Sequence, residues 1–166
     1  MAIKFFNTLS RKKEKFTPIK SGEVGLYTCG PTVYDYAHIG NFRTFIFEDL
    51  LKRYLLHKGY KVNHIMNITD VDDKTIKKSI AENTSLKELT NKYSNIFFSD
   101  LEWLKILPAN YYPRATDSIH KIIELISLLL KKGFAYVEDN GSVYFRIKSY
   151  AQYGQLLNLD FENQAG

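Results

Sequence analysis

The stretch Cys29-Gly30-Pro31-Thr32-Val33-Tyr34-Asp35-Tyr36-Ala37-His38-Ile39-Gly40-Asn41 gathers the only cysteine of the chain, a histidine and two glycines. A thiolate can hold a soft metal, and an imidazole can donate to phosphate oxygens. Gly40 lacks the side chain that would keep a nucleotide away from the backbone. Where such a stretch joins a strand to a helix, the first N–H groups of the helix are unpaired and offer an anion a site with a favourable dipole. Each feature also has an ordinary reading. A lone His-x-Gly-x is often a plain turn, and a lone cysteine is often a small buried hydrophobe.

The elements that must position this stretch follow from local patterning. Glu23 to Thr28 reads as a strand, and Asn41 to His57 as a helix with Phe47, Leu50, Leu51, Tyr54 and Leu55 on its apolar face. Gly59 ends that helix, and Lys61 to Ile68 reads as a second strand carrying Val62, Ile65, Met66 and Ile68. Strand, helix and strand at this spacing predict a right-handed parallel crossover in an α/β fold. Parallel strands end on one rim, so Cys29 and the Thr69-Asp70 pair should face a common crevice.

Ser85-Leu86-Lys87-Glu88 has the form of a capping box, and Leu86, Leu89, Tyr93, Ile96, Phe97, Leu101 and Leu104 continue it as a helical stripe. A further helix is expected from about Asp117 to Lys132, with Thr116 as N-cap and Gly133 past its end. Asp139-Asn140-Gly141 between two short β-prone runs predicts a hairpin. Arg11-Lys12-Lys13-Glu14-Lys15 reads as a solvated turn, and Trp103, Tyr111 and Tyr112 as core packing. Asn158 to Gly166 carry no stop signal and no third parallel strand, so the architecture is expected to break off there.

At 166 residues and 45% hydrophobic content, the working count is one domain. No apolar run reaches membrane length, and the first residues lack a secretory signal, so a cytoplasmic location is expected. A single cysteine agrees with a reducing compartment. The formal charge of +5 permits a nucleic-acid partner, and with 18 lysines against 5 arginines contacts to phosphates are expected over base reading.

Taken whole, Cys29 to Asn41 resembles the signature region of cysteinyl-tRNA synthetases, a longer form of the class I "HIGH" motif. Asn67-Ile68-Thr69-Asp70-Val71-Asp72-Asp73-Lys74, Pro113-Arg114-Ala115-Thr116 and the opening Phe6-Asn7-Thr8-Leu9-Ser10-Arg11-Lys12-Lys13 are similar to further stretches of that family. The resemblance runs over nearly the whole chain and corresponds to about the first third of such an enzyme. It implies the first half of a class I Rossmann-type catalytic domain with parallel strands in residues 1–112. Residues 113–166, a helix plus a hairpin, would then begin the inserted connective domain.

The activity so implied is cysteine-tRNA ligation. Cysteine attacks the α-phosphorus of ATP, with Mg2+, to give cysteinyl-adenylate and pyrophosphate, and the cysteinyl group then passes to tRNA(Cys). On the matching positions, His38 and Asn41 are the catalytic residues, and Pro31, Thr32, His38, Gly40 and Asn41 form the ATP site. Gly30 and Thr69 contact the cysteine, with Gly30 giving the backbone room beside it. Cys29 is a Zn2+ ligand, whose metal takes the substrate thiolate and rejects serine. His57, His64 and His120 have no ligand-like spacing with Cys29, so the other ligands are expected beyond Gly166. Asn41 stands where the general motif has its last histidine and donates without bringing charge. Asp70, Asp72 and Asp73 could suggest magnesium and are read as capping and structural.

The second class I signature, "KMSKS", has no counterpart in the sequence. A monomeric N-terminal piece, inactive alone, is therefore expected. Two rivals stay open: the mycothiol-pathway cysteine ligase, which shares this head, and a non-catalytic module that binds nucleotide or tRNA.

Overall fold

Parallel pairing between β3 (Glu23–Thr28) and β4 (Lys61–Met66) organises the part of the chain that carries the loop, with Glu23 opposite Lys61 and Thr28 opposite Met66. These pairings, and those below, come from a computed structural model that describes residues 3–157. Counted in chain order, two earlier strands precede β3: β1 (Lys4–Asn7) and β2 (Lys12–Lys15). The helix between β3 and β4 is α1 (Ile39–His57), so the expected parallel crossover forms, and α1 packs against both strands. Gly59, at φ +83, turns the chain out of α1 in the left-handed conformation that glycine adopts without cost.

The sheet does not stop at β4. Met66 N–H donates to Tyr111 O at 3.1 Å, Ile68 N–H to Pro113 O at 2.9 Å and Ala115 N–H to Ile68 O at 3.1 Å, so residues 111–115 run parallel along its far edge. Pro108 and Pro113 interrupt the pattern that would announce a strand there.

α2 (Asp73–Ala81) and α3 (Leu86–Trp103) follow β4 and pack on each other. Asp72 caps α2 by accepting from the N–H groups of Lys74 and Thr75, and Ser85 and Glu88 close the expected capping box on α3. Leu89, Tyr93, Phe97 and Leu101, spaced along one face of α3, meet Val33, Phe45, Met66, Ile68 and Ile106 in a single buried cluster.

Three expectations are corrected here. On α1 the inward face is Phe45, Glu48, Lys52 and Leu55, whereas Phe47 and Leu50 are 63% and 62% exposed and Tyr54 is exposed as well. Apolar and charged residues are mixed all round this helix, so its periodicity does not select a face. Trp103 is 79% and Tyr111 63% exposed, and only Tyr112 of the three aromatics packs at the core, edge-on to Phe98 at 4.9 Å. Thr116 does not cap a long helix. A 3-10 turn (Thr116–Ser118) comes first, because the Thr116 hydroxyl is bonded to Asp70, and α4 (Ile119–Lys131) begins after it.

Where length alone suggests one domain, the contacts divide the chain into two compact units: Pro18–Ile119, and the described residues of Met1–Thr17 with His120–Gly166. The second unit holds the hairpin of β1 and β2, α4, and the antiparallel pair β5 (Ala135–Val137) and β6 (Val143–Phe145). β2, expected as a turn, is an exposed strand with Lys12 opposite Asn7 and Lys15 opposite Lys4. Its run of charges shows no alternation that would mark it as a strand. The β5–β6 turn forms as expected, with Gly141 at φ +81 and its N–H donating to Glu138 O at 2.9 Å. Asn158 to Gly166 lie outside the described residues.

Candidate functional site

The loop after β3 and the end of β4 converge, as the crossover requires. Thr69 N–H donates to Pro31 O at 3.0 Å and Val33 N–H to Thr69 O at 3.1 Å, which extends the parallel pairing beyond the strands. Asn67 ties the two ends together through its side chain. Its Oδ1 accepts from Gly30 N–H and from the Tyr27 hydroxyl, each at 3.1 Å, and its Nδ2 donates to Thr69 Oγ1 at 3.0 Å. Sequence reading gave Asn67 no role, because its partners lie 37 and 40 residues away.

Gly30 has a different physical reason from the expected one. A Cβ there would sit 1.7 Å from Asn67 O, so the room that glycine leaves is filled by the neighbouring backbone. Thr69 likewise spends its hydroxyl on Asn67.

His38 is the N-cap of α1. Its Nδ1 accepts from Gly40 N–H at 3.0 Å, while its own N–H donates to Asn41 Oδ1 at 3.1 Å. An Nδ1 that accepts carries no proton, so in this arrangement Nε2 is the ring nitrogen left to donate. Gly40 is small for a reason visible in this geometry: a Cβ would lie 2.8 Å from His38 Cε1 and 3.0 Å from Nδ1, displacing the capping ring.

The same contacts occupy part of the expected anion site. The N–H of Gly40 goes to His38 Nδ1, and those of Asn41 and Phe42 go to His38 O at 2.9 and 3.2 Å. The donors left at the head of α1 are the Ile39 N–H and two side-chain groups, His38 Nε2 and Asn41 Nδ2.

These groups face one open cavity of about 450 Å3, lined by Cys29 to His38, Asn41, Thr44, Phe45, Lys74, Tyr93 and Phe97. Cys29, Gly30, Pro31, Thr32, His38 and Asn41 thus share it, while Gly40 and Thr69 stand behind it. Its apolar wall is rigid: Tyr36 meets Tyr93 edge-on at 5.4 Å, and Phe45 meets Phe97 at 5.1 Å. Cys29 is exposed, so the small-buried-hydrophobe reading does not hold. Its thiol can take a metal, yet among the described residues no group of three or more His, Cys, Asp or Glu side chains converges to hold one.

Beneath the loop lies a buried polar cluster. Thr28 Oγ1 is 2.9 Å from His64 Nε2, and Lys52 Nζ donates to Pro108 O at 2.5 Å. Burial pushes the Glu48 carboxyl up, partly offset by the Thr28 hydroxyl. Burial, with Lys52 nearby, pushes His64 down against the pull of Asp49. Glu48 Oε2 and His64 Nδ1 are buried without a partner.

The acidic residues after β4 are structural, as read. Asp72 caps α2, and Asp73 lies in its first turn. Asp70 is buried and accepts from Thr116 Oγ1 at 2.6 Å, Thr116 N–H at 2.9 Å and Arg114 Nη1 at 3.4 Å. Burial raises its pKa, but these hydrogen bonds outweigh it and the net shift is downward.

Comparison with known proteins agrees with this geometry. The family described as "tRNA synthetases class I (C) catalytic domain" matches residues 15–165. A cysteine-tRNA ligase of Brachyspira hyodysenteriae is 55% identical over 158 residues, 95% of this chain and 33% of that protein. One from Chlamydia muridarum is 55% identical over 162 residues, 98% and 34%, and one from Methanosarcina mazei 52% over 161 residues, 97% and 34%. The chain therefore spans about a third of the length of the curated relatives it matches.

Proposed function

Since the chain belongs to the family of class I (C) tRNA synthetase catalytic domains, we propose that its protein is a cysteine-tRNA ligase, acting on L-cysteine, ATP with Mg2+ and tRNA(Cys) in the cytoplasm. On this reading residues 1–112 are the first half of a Rossmann-type catalytic domain and residues 113–166 begin the connective insertion. The observation that carries the proposal is the capping geometry at the cavity. A histidine held with Nδ1 as acceptor presents Nε2–H, and an asparagine held through Oδ1 presents Nδ2–H.

Both donors are fixed before a nucleotide arrives, which is what stabilising charge on the phosphates during adenylate formation demands. The attacking cysteine carboxylate forms a bond to the α-phosphorus as the bond to pyrophosphate breaks. His38 and Asn41 hold phosphate oxygens through that change, and neither passes a covalent intermediate. Gly40 keeps the imidazole in place, while Pro31 and Thr32 carry the loop from the strand end towards the cap.

Cys29 supplies one thiolate to a zinc ion completed by ligands outside the described residues. Zinc, when bound, supplies a soft Lewis acid that prefers a substrate thiolate to a hydroxyl. Gly30 fixes the backbone beside that thiol and lines the cysteine subsite, with Thr69 supporting it from behind.

The test is cysteine-dependent pyrophosphate exchange by the full-length protein. His38→Ala is expected to lower the adenylation rate roughly a hundredfold or more, the usual cost of one preorganised donor, with little change in cysteine affinity. An unchanged exchange rate would refute the assignment. The 166 residues alone are expected to show no exchange.

A further inference from the structure

The cavity at the head of α1 is built to meet an anion, yet its capping contacts leave it short of positive charge. His38 Nδ1 is occupied as an acceptor, Asn41 carries no charge, and three N–H groups of the first turn are consumed by His38. One lining residue brings a full charge that no carboxylate cancels. Lys74, in the first turn of α2, lines the cavity with its ammonium 5.5 Å from the centre of the Tyr34 ring, and no ion pair to it forms among the described residues. Asp35, the carboxylate that shares the lining, is instead drawn to Lys78 at 3.5 Å and accepts from Tyr36 N–H at 2.9 Å.

We propose that Lys74 is a nucleotide phosphate-binding residue, supplying from α2 the cationic contact that the loop and α1 do not. The proposal rests on the adenylation reading above and adds a residue to it. The Tyr34 face steadies the ammonium near the cavity without neutralising it, as a cation–π contact does at an exposed site. A flexible lysine stem then lets the charge swing to a phosphate oxygen, where a point charge with three donors needs no fixed fork geometry. The position of Lys74 is set from below: Asp72 accepts from Lys74 N–H at 2.8 Å, fixing where its stem begins.

Two measurements on the full-length protein test this. In pyrophosphate exchange, Lys74→Met is expected to raise the KM for ATP roughly ten- to hundredfold, the range for losing one hydrogen bond to a charged group. KM for cysteine and the melting temperature should stay close to the unsubstituted values, and Lys74→Arg should recover most of the loss. A merely structural lysine would move both KM values together and lower the melting temperature, and that pattern overturns the proposal. An unchanged KM for ATP overturns it too.

The second measurement is equilibrium binding of inorganic tripolyphosphate, which needs no turnover. Lys74→Met should weaken it by a similar factor. If the unsubstituted protein showed no cysteine-dependent exchange but bound tripolyphosphate through Lys74, the adenylation reading would fall and the phosphate contact would stand. Equal binding by both proteins refutes the contact itself.

Discussion

α1 and α4 both carry many apolar residues, but they end in different physical states. α1 lies between β3 and β4 in sequence and packs on both, burying Phe45 and Leu55 along with Glu48 and Lys52. α4 buries none of its residues, and Ile122, Ile123, Leu125 and Leu128 are exposed. The unit that carries the loop has a core of nine buried residues, whereas Ala135 is the one buried hydrophobic residue described in the other unit. An amphipathic pattern specifies an element, and only pairing between distant segments specifies burial. The loop from Cys29 to Asn41 needs the second kind of support, since each of its anchors is a contact across the chain.

The contrast is sharpest at two glycines. Gly30→Ala puts a Cβ into Asn67 O and forces the two strand ends apart, so a loss on the order of 5 kcal/mol is expected, read as a collapse of the denaturant midpoint. Gly141→Ala in the β5–β6 turn meets no atom within 4 Å and pays only for its positive φ, about 1 kcal/mol. Comparable losses at the two sites would erase the distinction between the units.

Truncating side chains probes the same difference with smaller effect. Phe97→Ala removes a ring that touches Phe45 and Phe98 inside the core, and about 3 to 4 kcal/mol should be lost in denaturant unfolding. Leu125→Ala, on the exposed face of α4, should change stability by no more than about 0.5 kcal/mol. A large loss from Leu125→Ala would show that α4 is covered in solution.

The smallest effect concerns pH. His64 has its folded pKa depressed, mainly by burial, so the stability it contributes is present above the ordinary histidine value near 6.5 and lost as pH falls through the folded value. Glu48 runs the other way, since its folded pKa is raised: its contribution is complete below the ordinary carboxyl value and lost as pH rises through the folded one. Melting temperatures between pH 8 and 5 should therefore fall less steeply for His64→Gln than for the unsubstituted chain. Equal slopes would mean that the buried imidazole is not what acid must protonate.

Some of this molecule is decided within a few residues. The capping box at Ser85, the left-handed glycines after α1 and in the β5–β6 turn, and the Asp72 cap rest on contacts at most a turn away, and the sequence alone determined them. The string from Cys29 to Asn41 was equally legible as a pattern, because its residues are contiguous. What only the tertiary structure decided spans tens of residues. Asn67 clasps Gly30, Asp70 holds Arg114 and Thr116, and residues 111–115 join the sheet despite Pro113. Whether α1 turned Phe47 or Phe45 inward was also settled there, since a helix whose apolar residues are spread around its axis takes its buried face from the surface it meets. Local bonds fix each element, and the free energy that orients them comes from surfaces that sequence distance keeps apart until the chain folds.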